Sequence, residues 1–295
     1  MSDRTMTRRD FLRTAGAAAV VASATPSLFG GDPPGSRATV ILIRDRNAVT
    51  GKGGPDGEVV CRMLDEAMVE LFGVASPDEA WKAIAGPADI VGIKTNVWKY
   101  LRTPVAMEDR MKRGLIGAGV AEENIAVDDR GVLSNPVFQR ATVLINARPM
   151  RAHHWSGVGG CLKNYIMFTP SPPDYHGDSC ADLGALWHLP AVKGKTRLNV
   201  LVMLTPQFHC MGPHHFDPEY VWPYGGLLVG TDPVALDAVG LRIIEAKRRL
   251  FFNEETPMRP PAKHIVTAEN KHHVGVADPG RITLVRIGWK EGILI

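Results

Sequence analysis

Cysteine is scarce in this chain of 295 residues, and its spacing excludes the common thiolate metal sites. Only four cysteines occur, at positions 61, 161, 180 and 210. No two of them have the Cys-x-x-Cys spacing that structural zinc sites and iron–sulfur clusters use. We therefore expect no iron–sulfur cluster. A disulfide could form in an oxidising compartment, and the sequence leaves that question open.

Strong charge and long apolar runs are also absent. The chain has 34 Lys and Arg against 31 Asp and Glu, a formal net charge of +3. A nearly neutral surface gives no reason to expect nucleic acid as a partner. No apolar run reaches the roughly 20 residues of a membrane-spanning helix, so no stable membrane anchor is predicted. The sequence also has no P-loop, no Gly-x-Ser-x-Gly elbow and no convincing dinucleotide-binding motif.

The first 24 residues contain the ordered parts of an export signal. Thr-Arg-Arg-Asp-Phe-Leu at residues 7–12 precedes a short apolar run at 15–24, which ends in a small-x-small cleavage site. The pattern resembles the twin-arginine signals, Ser/Thr-Arg-Arg-x-Phe-Leu, and predicts export of the folded protein to the periplasm or the cell exterior. The twin-arginine translocase would be its partner during export. The alternative reading is a disordered basic tail.

The rest of the sequence predicts a linker followed by one α/β domain. Residues 25–37 are rich in Gly and Pro, and the domain is predicted over 38–295. Apolar strands are expected at 38–44, 89–94, 124–128, 142–146, 198–204, 226–230 and 281–287. Helices are expected at 56–72, from 76, at 103–117 and at 232–250. This alternation favours a largely parallel or mixed sheet flanked by helices, with its site beyond the strand ends.

Two polar groups follow predicted strands and are candidates for an anion site. Lys94 and Asn96 come at the end of one strand, where a lysine could bind a carboxylate or phosphate. Arg151 and His153 follow the strand predicted at 142–146, and Lys163 and Asn164 come after a glycine-rich stretch in which the backbone could approach a ligand closely. A surface lysine and a solvated polar loop are the alternatives for these positions.

The densest cluster of metal-ligand side chains lies at residues 208–217. His209, Cys210 and His214 offer imidazole and thiolate groups that suit a transition metal ion, although the spacing is not that of a zinc ribbon. Acid–base catalysis or hydrogen bonding within the loop are the alternatives. Asp232 is expected to cap a helix, and Asp237, one turn later, faces either solvent or the site.

Four short motifs in order resemble a known family. They are Val-Gly-Ile-Lys-Thr-Asn at 91–96, Arg-Ala-His at 151–153, Gly-Val-Gly-Gly-Cys-Leu-Lys-Asn at 157–164 and Gly-Thr-Asp-Pro-Val-Ala-Leu-Asp at 230–237. Together they are similar to the family catalogued as domain of unknown function 362. The resemblance implies an α/β domain with a shared polar site and no settled reaction. The implied site residues are Lys94, Asn96, His153, Lys163, Asn164 and Asp237.

Two departures from the family pattern matter. Arg151 occupies the place of a lysine, so any role for a deprotonated lysine there is lost, because arginine stays charged. Gly159 occupies the place of a threonine. Some relatives contain ferredoxin-like cysteine clusters, which this chain lacks.

The sequence thus predicts an exported α/β protein that binds a metal ion or an anionic ligand. In the enzyme hypothesis, an oxidoreductase being one option, His153, Lys163 and Asp237 are the catalytic candidates. Lys94, Asn96, Arg151 and Asn164 would hold the ligand, and His209, Cys210 and His214 would hold a metal. A non-catalytic binding protein for a small anionic solute is the alternative. Substrate, metal identity and oligomeric state do not follow from the sequence.

Overall fold

The structure is a computed structural model that describes residues 36–51, 53–209 and 216–295. The predicted signal peptide, most of the predicted linker, and the metal candidates Cys210 and His214 lie outside these residues.

Within the described residues the chain forms eight strands and eight helices. The strands are β1 (Ala38–Arg44), β2 (Val91–Lys94), β3 (Ile125–Asp128), β4 (Val143–His153), β5 (Gly157–Gly159), β6 (Thr196–Gln207), β7 (Gly226–Gly230) and β8 (Ile282–Gly288). The helices are α1 (Gly57–Phe72), α2 (Pro77–Ile84), α3 (Val105–Gly117), α4 (Pro136–Arg140), α5 (Cys161–Asn164), α6 (Gly177–Cys180), α7 (Pro233–Phe252) and α8 (Lys263–Asn270).

All eight strands belong to one mixed sheet. Seven of them are ordered β3-β2-β4-β6-β7-β1-β8, and β5 pairs with the end of β4. The pairs β3-β2, β2-β4, β4-β6 and β1-β8 are parallel, whereas β7 is antiparallel to both of its neighbours and β5 is antiparallel to β4. Six strands therefore run in one direction, and their carboxyl ends lie along one edge. This confirms the predicted α/β fold with a mixed, largely parallel sheet.

Local sequence signals explain where the principal helices begin. Asp56, Ser76 and Asp232 each accept hydrogen bonds from backbone N–H groups in the first turn of α1, α2 and α7. Such caps satisfy N–H groups that have no partner within the helix. Gly73 ends α1 in the left-handed conformation (φ 62°), which glycine adopts without a steric penalty.

The sheet separates two apolar layers. In β1, Val40 and Leu42 pack into one layer, and Ile41 and Ile43 pack into the other. This alternation follows from the two-residue period of a strand. Helices α7 and α8 cover the first layer, and α1, α2 and α3 cover the second. In the described part of the chain, no helix combines the length and apolar character needed to cross a membrane.

The largest departure from the predicted elements concerns β4. The sequence predicts a strand over 142–146 followed by a loop, but β4 continues to His153 and places Arg151 within the sheet. The extension is stable because β5 pairs with it, joining Arg151 to Gly159 and His153 to Gly157. Polar side chains obscure this extension in the sequence pattern, since they break the apolar run that marks a buried strand.

Candidate functional site

The candidate site lies where β4 extends beyond its neighbour. Lys94, the last residue of β2, pairs with Asn146, so residues 147–153 of β4 project past the end of β2. This projection contains Arg148, Arg151 and His153. It lies at the carboxyl edge of the sheet, where open α/β sheets usually bind their ligands.

Lys94 is held in a buried polar network. Its Nζ lies 2.5 Å from Asp129 Oδ1, 2.8 Å from the Thr95 carbonyl oxygen and 3.2 Å from Asn164 Oδ1. Burial lowers the pKa of Lys94 to about 8, although the neighbouring Asp129 carboxylate opposes this shift. Because three acceptors already surround the ammonium group, Lys94 stabilises the site and is not positioned as a free ligand contact.

Asn164 connects this network to the next strand. Its amide nitrogen donates to Asn146 Oδ1 at 2.8 Å and to the Lys94 carbonyl oxygen at 3.2 Å. Asn146 in turn donates to Asn199 Oδ1 at 3.0 Å and to the Cys161 carbonyl oxygen at 3.1 Å. Three strands and helix α5 are thus joined by side-chain amides, which fixes the end of α5.

Arg148 is a buried cation in the middle of the projection. Its side chain is 4% exposed, and its Nε has no hydrogen-bond partner among the described residues. Burial lowers its pKa, against the attraction of the more distant Asp129 and Asp237 carboxylates. A Cβ at Gly159 would lie 2.7 Å from Arg148 Nη2, so the glycine leaves room for the guanidinium group.

Lys163, on α5, is the second buried cation. It is 4% exposed, and its Nζ donates to Cys180 Sγ at 3.5 Å. Burial lowers its pKa to about 8, and the Arg148 and Arg151 charges act in the same direction while Cys180 opposes them. Among the described residues, no carboxylate forms an ion pair with Lys163 or Arg148, in contrast to the Lys94–Asp129 pair.

Two histidines near these cations, His153 and His264, are held neutral by lowered pKa values. Burial strongly lowers the pKa of His153, and Lys163 and Arg148 add to the effect. His264 is fully buried, its pKa is lowered to about 3, and neither ring nitrogen has a hydrogen-bond partner among the described residues. The His154 ring lies beside the Trp155 ring, with centroids 4.2 Å apart and planes tilted by 42°. Neutral imidazoles can donate and accept protons beside a bound anion.

Asp237 positions helix α5. Its carboxylate is fully buried and accepts the backbone N–H of Cys161 at 2.6 Å and of Leu162 at 3.0 Å. Burial raises its pKa to about 7, whereas these hydrogen bonds lower it. A Cβ at Gly160 would collide with the Asp237 carboxylate. The carboxylate therefore holds the first turn of the helix that presents Lys163, which accounts for its burial without requiring contact with a ligand.

Asn96 belongs to the loop that borders the site, and Arg151 on β4 packs against that loop. The Arg151 guanidinium carbon lies 4.0 Å from the centroid of the Trp98 ring, a cation–π distance. Asn96 Oδ1 lies 3.4 Å from the Trp98 backbone N–H, and its own backbone N–H donates to Thr103 Oγ1 at 3.0 Å. The arginine side chain thus packs against the loop that follows β2.

The structure places His209 in different surroundings. Its Nδ1 accepts from Arg248 at 2.9 Å, and its ring packs against Tyr220 and Phe252. Lys163, by contrast, donates to Cys180 Sγ. Across residues 36–51, 53–209 and 216–295, no group of three or more His, Cys, Asp or Glu side chains is arranged to hold a metal. The metal site predicted with Cys210 and His214 stays a prediction, because both residues lie outside that part of the chain.

Sequence reasoning missed two residues of the site, Arg148 and His264. Arg148 lies just after the strand predicted at 142–146, and it belongs to none of the four motifs. His264 follows the Pro-Pro-Ala-Lys segment at 260–263 and is more than 100 residues from Lys163 in the chain. A basic residue within an apolar strand is the sequence feature that could have identified Arg148. No sequence feature identifies His264, because only the tertiary fold brings it near the site.

Comparison with known proteins agrees with the resemblance seen in the motifs. Residues 123–242 match the model of the family described as Domain of unknown function (DUF362). The match includes Arg148, Arg151, His153, Lys163 and Asp237, and thus most of the candidate site. No curated protein and no solved structure matches the chain.

Proposed function

We propose that this protein binds a small carboxylate- or phosphate-bearing anion at the carboxyl edge of its sheet. The supporting observation is that Arg148 and Lys163 are both buried while neither forms an ion pair with a carboxylate of the described residues. Burying a cation without a counterion costs several kcal/mol. An anionic ligand between β4 and α5 would supply the missing charge.

The balance of charge around these cations favours an anion. The charges of Arg148 and Arg151 both lower the pKa of Lys163, and the nearby His153 and His264 are neutral. Asp129 is already paired with Lys94, and Asp237 accepts two backbone N–H groups. The local excess of positive charge makes this region better suited to an anion than to a metal cation.

We further propose that the protein is exported in folded form through the twin-arginine route. The support is the sequence at residues 7–24 alone. Replacing Arg8 and Arg9 by Lys should retain the protein in the cytoplasm, as measured by cell fractionation, and unchanged export of that variant would refute the proposal. With export, the ligand would be a periplasmic or extracellular solute. Whether the protein is an enzyme or only a binder depends on the reactivity of Lys163.

Anion binding can be tested by thermal unfolding of the purified protein with added phosphate, sulfate, pyruvate or citrate. A ligand that binds only the folded state stabilises it by about 2.7 kcal/mol at a hundredfold excess over Kd. For a domain of this size the gain corresponds to a rise in Tm of about 5 °C. Arg148→Met should abolish the rise, whereas the exposed Lys193→Met should keep it.

Comparing the Tm values of the parent protein and Arg148→Met also separates binding at this site from general salt effects. Chloride at equal ionic strength is the reference, and a rise that persists in Arg148→Met would show that the anion binds elsewhere. If none of the four anions shifts the Tm of the parent protein beyond the chloride value, the anion proposal is wrong.

A further inference from the structure

Lys163 differs from an ordinary buried lysine in what surrounds it. Lys94 in the same region has the Asp129 carboxylate 2.5 Å from its ammonium group, which opposes the lowering of its pKa by burial. Among the described residues, Lys163 donates to the Cys180 thiol at 3.5 Å, and its charged neighbours are the cations Arg148 and Arg151. Both burial and nearby cations favour the neutral amine.

A neutral amine in such surroundings is a nucleophile. Lysines activated by desolvation or by an adjacent cation attack carbonyl carbons and form imines. The pKa of Lys163, about 8, leaves an appreciable fraction of neutral amine at physiological pH. The same two arginines that favour the neutral form are placed to bind an anionic group of the compound that is attacked.

The thiol beside Lys163 is held by an unusual backbone. Asp178, Ser179 and Cys180 all have positive φ, at 45°, 59° and 60°. Each costs about 1–2 kcal/mol in this left-handed conformation, and such strain is concentrated at functional sites. Asp178 is anchored by Lys263 Nζ at 2.5 Å, which ties the strained turn to the start of α8.

Helix α8 brings a proton-transfer group to the same place. His264, next to Lys263, is fully buried and has two ring nitrogens without hydrogen-bond partners among the described residues. Its titration is affected by Lys163 and Arg148, so its ring lies within their field. A neutral imidazole with both nitrogens available can pass a proton between the amine and a leaving hydroxyl group.

Aromatic rings cover the amine from the solvent side. The Trp155 ring centroid is 5.9 Å from Lys163 Nζ, and the Trp155 ring packs on His176 with centroids 4.0 Å apart. Trp155 is 45% exposed. A compound reaching Lys163 would therefore pass beside a surface aromatic group and enter a region from which water is largely excluded.

We infer that Lys163 forms an imine with the carbonyl group of a small anionic compound, a 2-oxo acid or an aldehyde acid, bound by Arg148 and Arg151. This inference rests on the anion site proposed above. The amine nitrogen attacks the carbonyl carbon and a C–N bond forms. The amine gives up both of its protons, which leave with the former carbonyl oxygen as water, so that a C=N bond remains. No oxidant, reductant or further reactant is needed.

Borohydride trapping tests this inference on the full-length folded protein. Pyruvate and glyoxylate are the probes, and borohydride converts any imine into a stable secondary amine. Intact mass spectrometry followed by peptide mapping should find one modification, equal in mass to the reduced imine, at Lys163. Lys163→Arg should lose the modification while retaining the far-ultraviolet circular dichroism of the parent. The exposed Lys193→Arg is the matched control and should be modified at Lys163 like the parent.

Propanal, a neutral carbonyl compound, separates this inference from the anion proposal. If pyruvate labels Lys163 much faster than propanal does, and Arg148→Met removes that preference, both proposals are supported. Anion-dependent thermal stabilisation without any labelling at Lys163 would overturn the imine inference and leave the anion site intact. Equal labelling by propanal and pyruvate, with no anion effect on Tm, would overturn the anion site while supporting an imine-forming lysine. Labelling of other lysines without Lys163 would overturn the inference even if Lys163→Arg fails to fold.

Discussion

Lys94 and Asp129 form a buried ion pair that joins the ends of two neighbouring strands. Lys94 Nζ is 2.5 Å from Asp129 Oδ1, and the two side chains are 0% and 7% exposed. The second carboxylate oxygen accepts the Val97 backbone N–H at 3.0 Å. The pair thereby fixes the loop after β2, which borders the candidate site, and it holds Asn164 in place as well.

Removing the lysine of this pair should destabilise the protein strongly. Lys94→Met leaves the Asp129 carboxylate buried without its counterion, and we expect a loss of about 3–5 kcal/mol in the free energy of unfolding. Urea denaturation followed by circular dichroism measures this loss. Lys112→Met is the matched control, because Lys112 pairs with Glu122 at 2.9 Å on the surface. Its expected cost is below about 1 kcal/mol, and equal losses for the two variants would contradict the prediction.

Asp232→Ala should cost more than an ordinary helix cap. The carboxylate is 6% exposed and accepts three backbone N–H groups, from Val234 and Ala235 in α7 and from Val276 in a distant loop, at 2.8–2.9 Å. Loss of a cap costs about 1 kcal/mol, and a buried unsatisfied donor adds roughly 1–3 kcal/mol. We therefore expect about 3 kcal/mol in urea unfolding. Asp56→Ala, which removes a cap with one donor, should cost about 1 kcal/mol.

The fold was largely predictable because its signals are local. The cap at Asp232 and the apolar runs of β1 and β7 depend only on neighbours in the chain, and the structure confirms them. The sequence did not predict helices α4, α5, α6 and α8, which have eight residues or fewer and form in a tertiary context. Short helices have little intrinsic stability and leave a weak periodic pattern.

The candidate site was only partly predictable for a related reason. Lys94, Lys163 and Asn164 were identified from motifs, and the structure brings them together. The sequence does not show which cations are paired with a carboxylate. Asp129 pairs with Lys94, whereas no carboxylate in the described part of the chain pairs with Lys163. Whether a lysine binds a ligand or stabilises the fold depends on contacts between residues far apart in the chain. The local sequence pattern contains no information on these long-range contacts.

Gly159→Ala should weaken anion binding without unfolding the protein. The added Cβ would lie 2.7 Å from Arg148 Nη2 and 3.5 Å from His153 Cδ2, so the guanidinium group must move. We expect Kd for the anion to rise by about tenfold, or about 1.4 kcal/mol, in isothermal titration calorimetry. Gly86→Ala is the control, since its Cβ would meet no atom within 4 Å. Unchanged affinity in Gly159→Ala would mean that Arg148 does not contact the anion.

Anion affinity should fall as the pH rises above about 8. Lys163 has a pKa of about 8 in the free protein, so below this pH its ammonium group contributes attraction, and above it the neutral amine does not. A bound anion raises that pKa, since an opposite charge favours the protonated form. Binding therefore takes up a proton above pH 8, and the affinity falls by up to about tenfold per pH unit.

The variant Lys163→Arg tests whether Lys163 is the group responsible. Arginine remains charged throughout, so residue 163 should add no pH dependence to the affinity of this variant between about pH 8 and 10. Two other groups titrate nearby and are shared by both proteins: Lys94, with a pKa of about 8, and Asp237, with a pKa of about 7. Their contributions cancel when the slope of affinity against pH for Lys163→Arg is subtracted from the slope for the parent protein. Equal slopes in calorimetric titrations would assign the pH dependence to Lys94 and remove Lys163 from direct contact with the anion.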